Sequence, residues 1–140
     1  MSRILVLVFL AGSFWSAALW AQALASLSSE EMQKLERQGA VVVDIRTPEE
    51  WKSTGVIPGS KTLTFYDREG HFDLPGFSQT LSRMIPDAKT PVVLVCRSGH
   101  RSGEAGKLLA AEWPDRKILH LGKGISDWIR EGKPVASASP

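Results

Sequence analysis

The stretch Val92-Val93-Leu94-Val95-Cys96-Arg97-Ser98-Gly99-His100-Arg101-Ser102 decides the fold. Its first four residues are apolar and mostly β-branched, the composition of a strand covered on both faces. At Cys96 the chain turns polar and basic, and beyond Ser102 the residues Ala105, Leu108 and Leu109 resume at helical spacing up to Trp113-Pro114-Asp115. A buried strand that runs through a short loop into a helix is the repeating unit of a parallel α/β sheet. In such sheets the functional loops lie at the carboxyl ends of strands, which is where Cys96 falls.

The flanking sequence repeats this alternation. Upstream, Ser28 and Glu31 make a capping box before a short amphipathic helix with Met32 and Leu35 that ends at Gly39. Ala40 to Val43 reads as a first buried strand, and Thr47-Pro48-Glu49-Glu50 as a second capped helix start with proline at its first position. Gly55 to Gly59 breaks that helix, Lys61 to Phe65 suits a brief strand, and Tyr66 to Gly76 reads mostly as loop. Phe77, Leu81, Met84 and Ile85 have helical spacing and stop at Pro86. Ile118 to Leu121 supplies a last strand, and Gly124 to Arg130 a small helix ended by Gly132 and Pro134. The expected architecture is one α/β domain with a mainly parallel central sheet and helices on both faces.

A chain of 140 residues with 43% hydrophobic residues supports one core and not two. The formal net charge is only +2, and no Lys/Arg run or basic-aromatic alternation is present to track a phosphate backbone, which argues against nucleic-acid binding. The first residues read as an export signal: a basic start at Arg3, an apolar run from Ile4 to Leu10, and overlapping A-x-A sites at Ala21 to Ala25. The expected organisation is a signal peptide over 1–23, cut after Ala23 or Ala25, a domain over 26–135 and a flexible tail over 136–140. Export, to the periplasm, follows from that segment, and membrane contact only if it is retained, since Ile4 to Trp20 is 17 residues, near the lower limit for a spanning helix.

Cys96 is the only cysteine, so no internal disulfide can form and no C-x-x-C pair exists for thiol redox chemistry. The backbone N–H groups of the loop after it can turn inward and form an anion-binding nest at a helix N-terminus. Arg97, His100 and Arg101 add positive charge, which favours a thiolate, and Gly99 permits a backbone conformation that a side chain would forbid. Ser98 and Ser102 can donate further hydrogen bonds. The reading requires a sulfhydryl kept ionised and open to solvent. Asp44 and Arg46, just past a buried strand, suit a charge pair that fixes neighbouring loops, while Trp51 and Trp128 suit packing. His71 and His120 stand alone, without a second ligand at metal spacing, so no metal site is expected.

Four segments together resemble the rhodanese homology family over almost the whole domain. They are Asp44-Ile45-Arg46 with Pro48-Glu49-Glu50-Trp51, Gly55-Val56-Ile57-Pro58-Gly59-Ser60, Cys96 to Ser102 as C-x-x-G-x-R-S, and Leu121 to Trp128 with Gly132-Lys133-Pro134-Val135. Three positions depart from the family pattern: Val56 where histidine is common, Lys123 in place of the first glycine of a closing pair, and Ser98 where some members carry lysine. The resemblance implies a sulfurtransferase in which Cys96 takes a sulfur atom from a small anionic donor such as thiosulfate. It then passes that sulfur as a persulfide to a thiol, a cyanide-like acceptor or a protein acceptor, with no cofactor. It implies substrate binding by Arg97, Ser98, Gly99, His100, Arg101 and Ser102, with Arg101 supporting the loop and attracting the anion, and support from Asp44 and Arg46.

Two other readings differ in testable ways. Cysteine phosphatases use a C-x5-R cradle, one residue longer than Cys96 to Arg101, so no phosphatase activity is expected. Rhodanese-like binding modules, or sulfur carriers without turnover, form the alternative class; such modules often lack the cysteine that this chain retains.

Overall fold

The computed structural model describes residues 24–138, so the expected signal peptide over 1–23 lies outside the described residues. In chain order the elements are β1 (Ala25–Leu27), α1 (Ser29–Arg37), β2 (Val41–Asp44), α2 (Pro48–Thr54), β3 (Lys61–Thr62), α3 (Leu74–Met84), β4 (Val92–Val95), α4 (His100–Glu112), β5 (Ile118–Leu121) and α5 (Gly124–Arg130). All four residues of β4 are buried, as their unbroken apolar run requires.

The five strands form one sheet in the order β1-β5-β4-β2-β3, and every neighbouring pair is parallel. Side chains alternate along each strand, so the sheet feeds two separate cores. On one face Val43, Val92, Leu94 and Ile118 pack with Phe77 and Leu81 of α3 and Ala105 and Leu109 of α4. On the other, Val42, Val93, Val95, Leu119 and Leu121 pack with Met32 of α1 and Ile125 and Trp128 of α5. This is the expected two-faced α/β domain.

The site is placed by a reversal of chain direction. From β2 the chain crosses to β3 at one edge, and from β4 it crosses to β5 on the opposite side. The loops leaving β2 and β4 therefore diverge and open a crevice at the strands' carboxyl ends, the usual ligand site of an open parallel sheet.

Local chemistry sets the helix starts. Both capping boxes are complete: Ser28 accepts from the Glu31 amide and Thr47 from the Glu50 amide, with the glutamates reaching back. Several boundaries differ from expectation. Ala25–Leu27, placed at the signal junction by its small residues, is a strand that pairs with Leu119 to Leu121. The segment expected as loop to Gly76 becomes helical at Leu74, because Asp73 caps α3 and Pro75 stands in its first turn. The strand expected over Lys61 to Phe65, β3, is only two residues long, although the Leu63 and Phe65 amides still donate to the Asp44 and Ile45 carbonyls. Ala136, assigned to the flexible tail, exchanges two backbone hydrogen bonds of 2.8 Å with Val56, so the ordered chain extends past residue 135. That pairing and the burial of Val56 give its side chain a packing role at the position that departs from the family pattern.

Candidate active site

Helix α4 begins with Gly99 as its cap residue, and glycine has no side chain with which to cap. The sulfur of Cys96 takes that place: it accepts the Gly99 amide at 3.1 Å and the Ser102 amide at 3.3 Å, with the Ser102 Oγ at 3.3 Å. Ser102 is the third residue of the helix, whose N–H a serine or aspartate cap would ordinarily bind. The thiol thus sits where the helix presents its first N–H groups and the positive end of its dipole.

Two glycines make this geometry possible. Gly99 is left-handed (φ 93°), and a Cβ there would run into the Gly122 carbonyl. Gly124 (φ 68°) lies against the Arg97 carbonyl, and the next two amides, of Ile125 and Ser126, donate to the Cys96 and Arg97 carbonyls at 2.9 and 3.0 Å. The start of α5 therefore clamps the root of the loop. Lys123 has φ −106°, open to any residue, so replacing glycine there leaves the clamp intact. Gly124→Ala is expected to lose about 1–2 kcal/mol from left-handed strain alone, and more from the collision. Urea unfolding should report the stability loss, with reduced access of donors to a displaced loop.

The other loop residues divide by position. Arg97, Ser98 and His100 are exposed. Arg97, His100 and Arg101 line a cleft of about 590 Å³, which Thr47 and Glu50 wall on a second side and Tyr66, Asp67, Arg68 and Gly70 on a third. Cys96 itself is only 1% exposed and belongs to the α3–α4 core. This corrects the expectation of an open thiol: the sulfur lies under its own loop because both amides that hold it point inward. Ser98 makes no part of the amide pair on sulfur; Gly99 and Ser102 do.

Arg101 is occupied by a carboxylate. Its two terminal nitrogens bind both Glu50 oxygens at 2.9 and 2.6 Å, joining the loop after β4 to the start of α2. Of the two roles expected for Arg101, loop support is thus the one with a visible partner. The pair is partly exposed, and hydrogen bonding to Arg101 holds the Glu50 carboxyl down to about 2. A carboxylate depressed in the folded state contributes stability that is full above its unfolded value near 4.5 and is lost as pH falls toward 2. Glu50→Gln keeps the capping box, so comparison with the parent chain isolates the pair. After allowance for solvent screening the variant should be about 1 kcal/mol less stable at neutral pH, with the difference vanishing near pH 2.

Asp44 and Arg46 form a fully buried pair, each 1% exposed. The Arg46 Nε and a terminal nitrogen donate to the Asp44 carboxylate at 2.7–3.1 Å, and the guanidinium also reaches Thr54 Oγ1 at 2.8 Å and the Gly55 carbonyl at 2.9 Å. Trp51 Nε1 donates to the same carboxylate at 3.1 Å. The cluster pins α2 and the Gly55 turn to the end of β2. Trp128 is buried, with its indole N–H on the Pro134 carbonyl.

One residue near the sulfur was missed. His120, which looked isolated in sequence, has its Nδ1 3.1 Å from Ser102 Oγ, the same hydroxyl that lies beside Cys96.

A parallel sheet with a cysteine capping the helix after its central strand defines a class of α/β domains built around a thiol loop. The family model for the rhodanese-like domain matches residues 28–131, and the chain belongs to that family. It is similar to a thiosulfate:glutathione sulfurtransferase of Saccharomyces cerevisiae, at 29% identity over 112 residues that cover 76% of this chain and 79% of the relative. A rhodanese domain-containing protein of Drosophila melanogaster is 27% identical over 92 residues, or 64% of this chain and 82% of the relative. Among solved structures, the polysulfide-sulfur transferase homodimer of Wolinella succinogenes superposes with a TM-score of 0.62 at 25% identity, covering 84% of this chain and 81% of that one.

Proposed function

We propose that the domain moves a sulfane sulfur from an anionic, thiosulfate-like donor to a thiol or other thiophilic acceptor through a persulfide on Cys96. The observation that carries this reading is the pair of amides, from Gly99 and Ser102, aimed at the only sulfhydryl of the chain. In the first step the thiolate attacks the outer sulfur of thiosulfate, the S–S bond breaks and sulfite leaves with the bonding pair. In the second, an acceptor thiolate attacks the outer sulfur of the persulfide and Cys96 departs as thiolate, the ping-pong pattern of covalent catalysis. Arg97 and His100, exposed on the cleft, suit an incoming anion, and the amide pair suits the charge left on sulfur. The sulfurtransferases among the relatives support the same reaction class. Intact-mass spectrometry before and after thiosulfate tests it: a gain of one sulfur that an added thiol removes is expected, and an unchanged mass with several donors overturns it.

The reading extends to an exported domain, with the signal segment cut after Ala23 in preference to Ala25. Leu24 packs into the α4 core and a side chain at Gly106 would strike it, while Ala25 pairs with Leu119. A cut after Ala23 keeps both contacts. Amino-terminal sequencing of the exported protein should begin at Leu24.

A further inference from the structure

We propose, building on the sulfurtransferase reading, that His120 is a positioning residue that exchanges a proton with Cys96 through the hydroxyl of Ser102. The chain of contacts is continuous. Cys96 Sγ lies 3.3 Å from Ser102 Oγ, and that oxygen lies 3.1 Å from His120 Nδ1. Ser102 is fully buried, so no water layer separates its hydroxyl from either neighbour's side. The hydroxyl can also donate its single proton to the Gly99 carbonyl, 3.2 Å away, so the relay runs when that proton turns from the carbonyl to Nδ1.

The sheet makes this meeting obligatory. His120 alternates with Leu119 and Leu121, which face α5, so it shares the face of Ile118 beneath α4. Ser102 is in the first turn of α4, directly after the loop that leaves β4, and β4 lies beside β5. A Cβ on Gly103 would touch the imidazole, so helix and ring are in close packing. Around the ring, β1 brings Ser26 in register and, in a chain cut after Ala23, the α-amino group of Leu24 two residues before it; β4 leads to Cys96, and α4 brings Lys107, which is bridged to Glu104. The loop adds Arg97, His100 and Arg101. Burial first, and Lys107 in addition, push His120 below the usual histidine range, outweighing a hydrogen bond with Gly99 that acts the other way. A neutral imidazole at neutral pH is the form able to accept a proton.

The transfer balances without any co-reactant. The S–H bond of Cys96 breaks as its proton passes to Ser102 Oγ, while the serine's own proton passes to Nδ1, leaving thiolate, hydroxyl and imidazolium. When an acceptor later takes the outer sulfur, the released thiolate recovers its proton along the same path. His120 touches neither donor nor acceptor in this scheme; it sets the proton inventory of the sulfur that does.

The test reads thiol reactivity and not sulfur transfer, so the two ideas can fail separately. The rate of Cys96 alkylation by iodoacetamide is measured across pH for the parent chain, His120→Asn and Ser102→Ala, with folding checked by circular dichroism. His120→Asn keeps a polar atom near Ser102 but cannot titrate. Both variants are expected to alkylate roughly tenfold or more slowly at neutral pH, and to lose an inflection that coincides with the His120 titration seen by NMR. A His120→Asn profile superimposable on the parent's overturns the proposal. A second measurement holds even if that variant is unstable: the His120 NMR titration in Cys96→Ser should be displaced from the parent's, and an unchanged curve overturns the coupling. Absence of a persulfide in the parent chain with the coupling present would instead sink the sulfurtransferase reading alone.

Discussion

Cys96→Ser is expected to abolish sulfur loading completely while leaving a folded domain. Serine preserves the side-chain volume and an acceptor for the Gly99 and Ser102 amides, so the cap of α4 survives. The hydroxyl cannot form a persulfide under these conditions, and turnover should fall by on the order of 10⁴-fold or more, as when a covalent nucleophile is removed. Intact mass after thiosulfate and a coupled sulfite assay read the two effects, and urea unfolding reads the third. Retained loading would remove Cys96 from the mechanism. Collapse of the fold would instead make the buried thiol a core residue first, consistent with its place in the α3–α4 cluster.

The largest effect on stability is expected at Asp44→Ala. Arg46 would remain buried with Thr54 and Gly55 as neutral hydrogen-bond partners and no carboxylate in contact, and Trp51 would lose its acceptor. Breaking one side of a buried pair costs about 3–5 kcal/mol, against a total stability of about 5–15 kcal/mol for a typical domain. The urea midpoint should therefore drop by about a fifth or more with little change in slope. Replacing both partners together by apolar residues of similar volume should recover part of the loss, because the desolvation cost of two ions disappears with them. If the single and double variants were equally unstable, packing and not charge would be the cause.

Legibility in the sequence followed the range of the interactions involved. The Ser28 and Thr47 helix starts were readable because a capping box closes within four residues. The run Val92–Val95 was readable because burial on both faces leaves no polar residue to confuse the period. Strand β1 was not: Ala25-Ser26-Leu27 has no β-branched residue, and it becomes a strand only by pairing with residues more than ninety positions away. The bidentate contact of Arg101 with Glu50 spans 51 positions and was equally hidden. His120 left a signal that went unused, since the alternation Ile118-Leu119-His120-Leu121 already placed it on the same face as Ile118. What that pattern lacks is the neighbour, because only the sheet order brings β5 beside β4 and so the histidine beneath Ser102. The burial of Cys96 was hidden for a related reason: a polar loop on paper says nothing about which way its first side chain turns.

The strand order has a bearing on how the chain is made. The first strand has its hydrogen-bonded neighbour in the last one, β5, and the helix that clamps the Cys96 loop comes later still. A chain that stops at Glu112 therefore has a first strand with no partner and a thiol loop with no clamp. Such an intermediate cannot ripen piecemeal from its amino end; the long-range pairings must close together once β5 and α5 are present, a topology that slows assembly. Chains truncated before Ile118 should be protease-sensitive throughout, and protection should arrive in a single step once the truncation point passes α5.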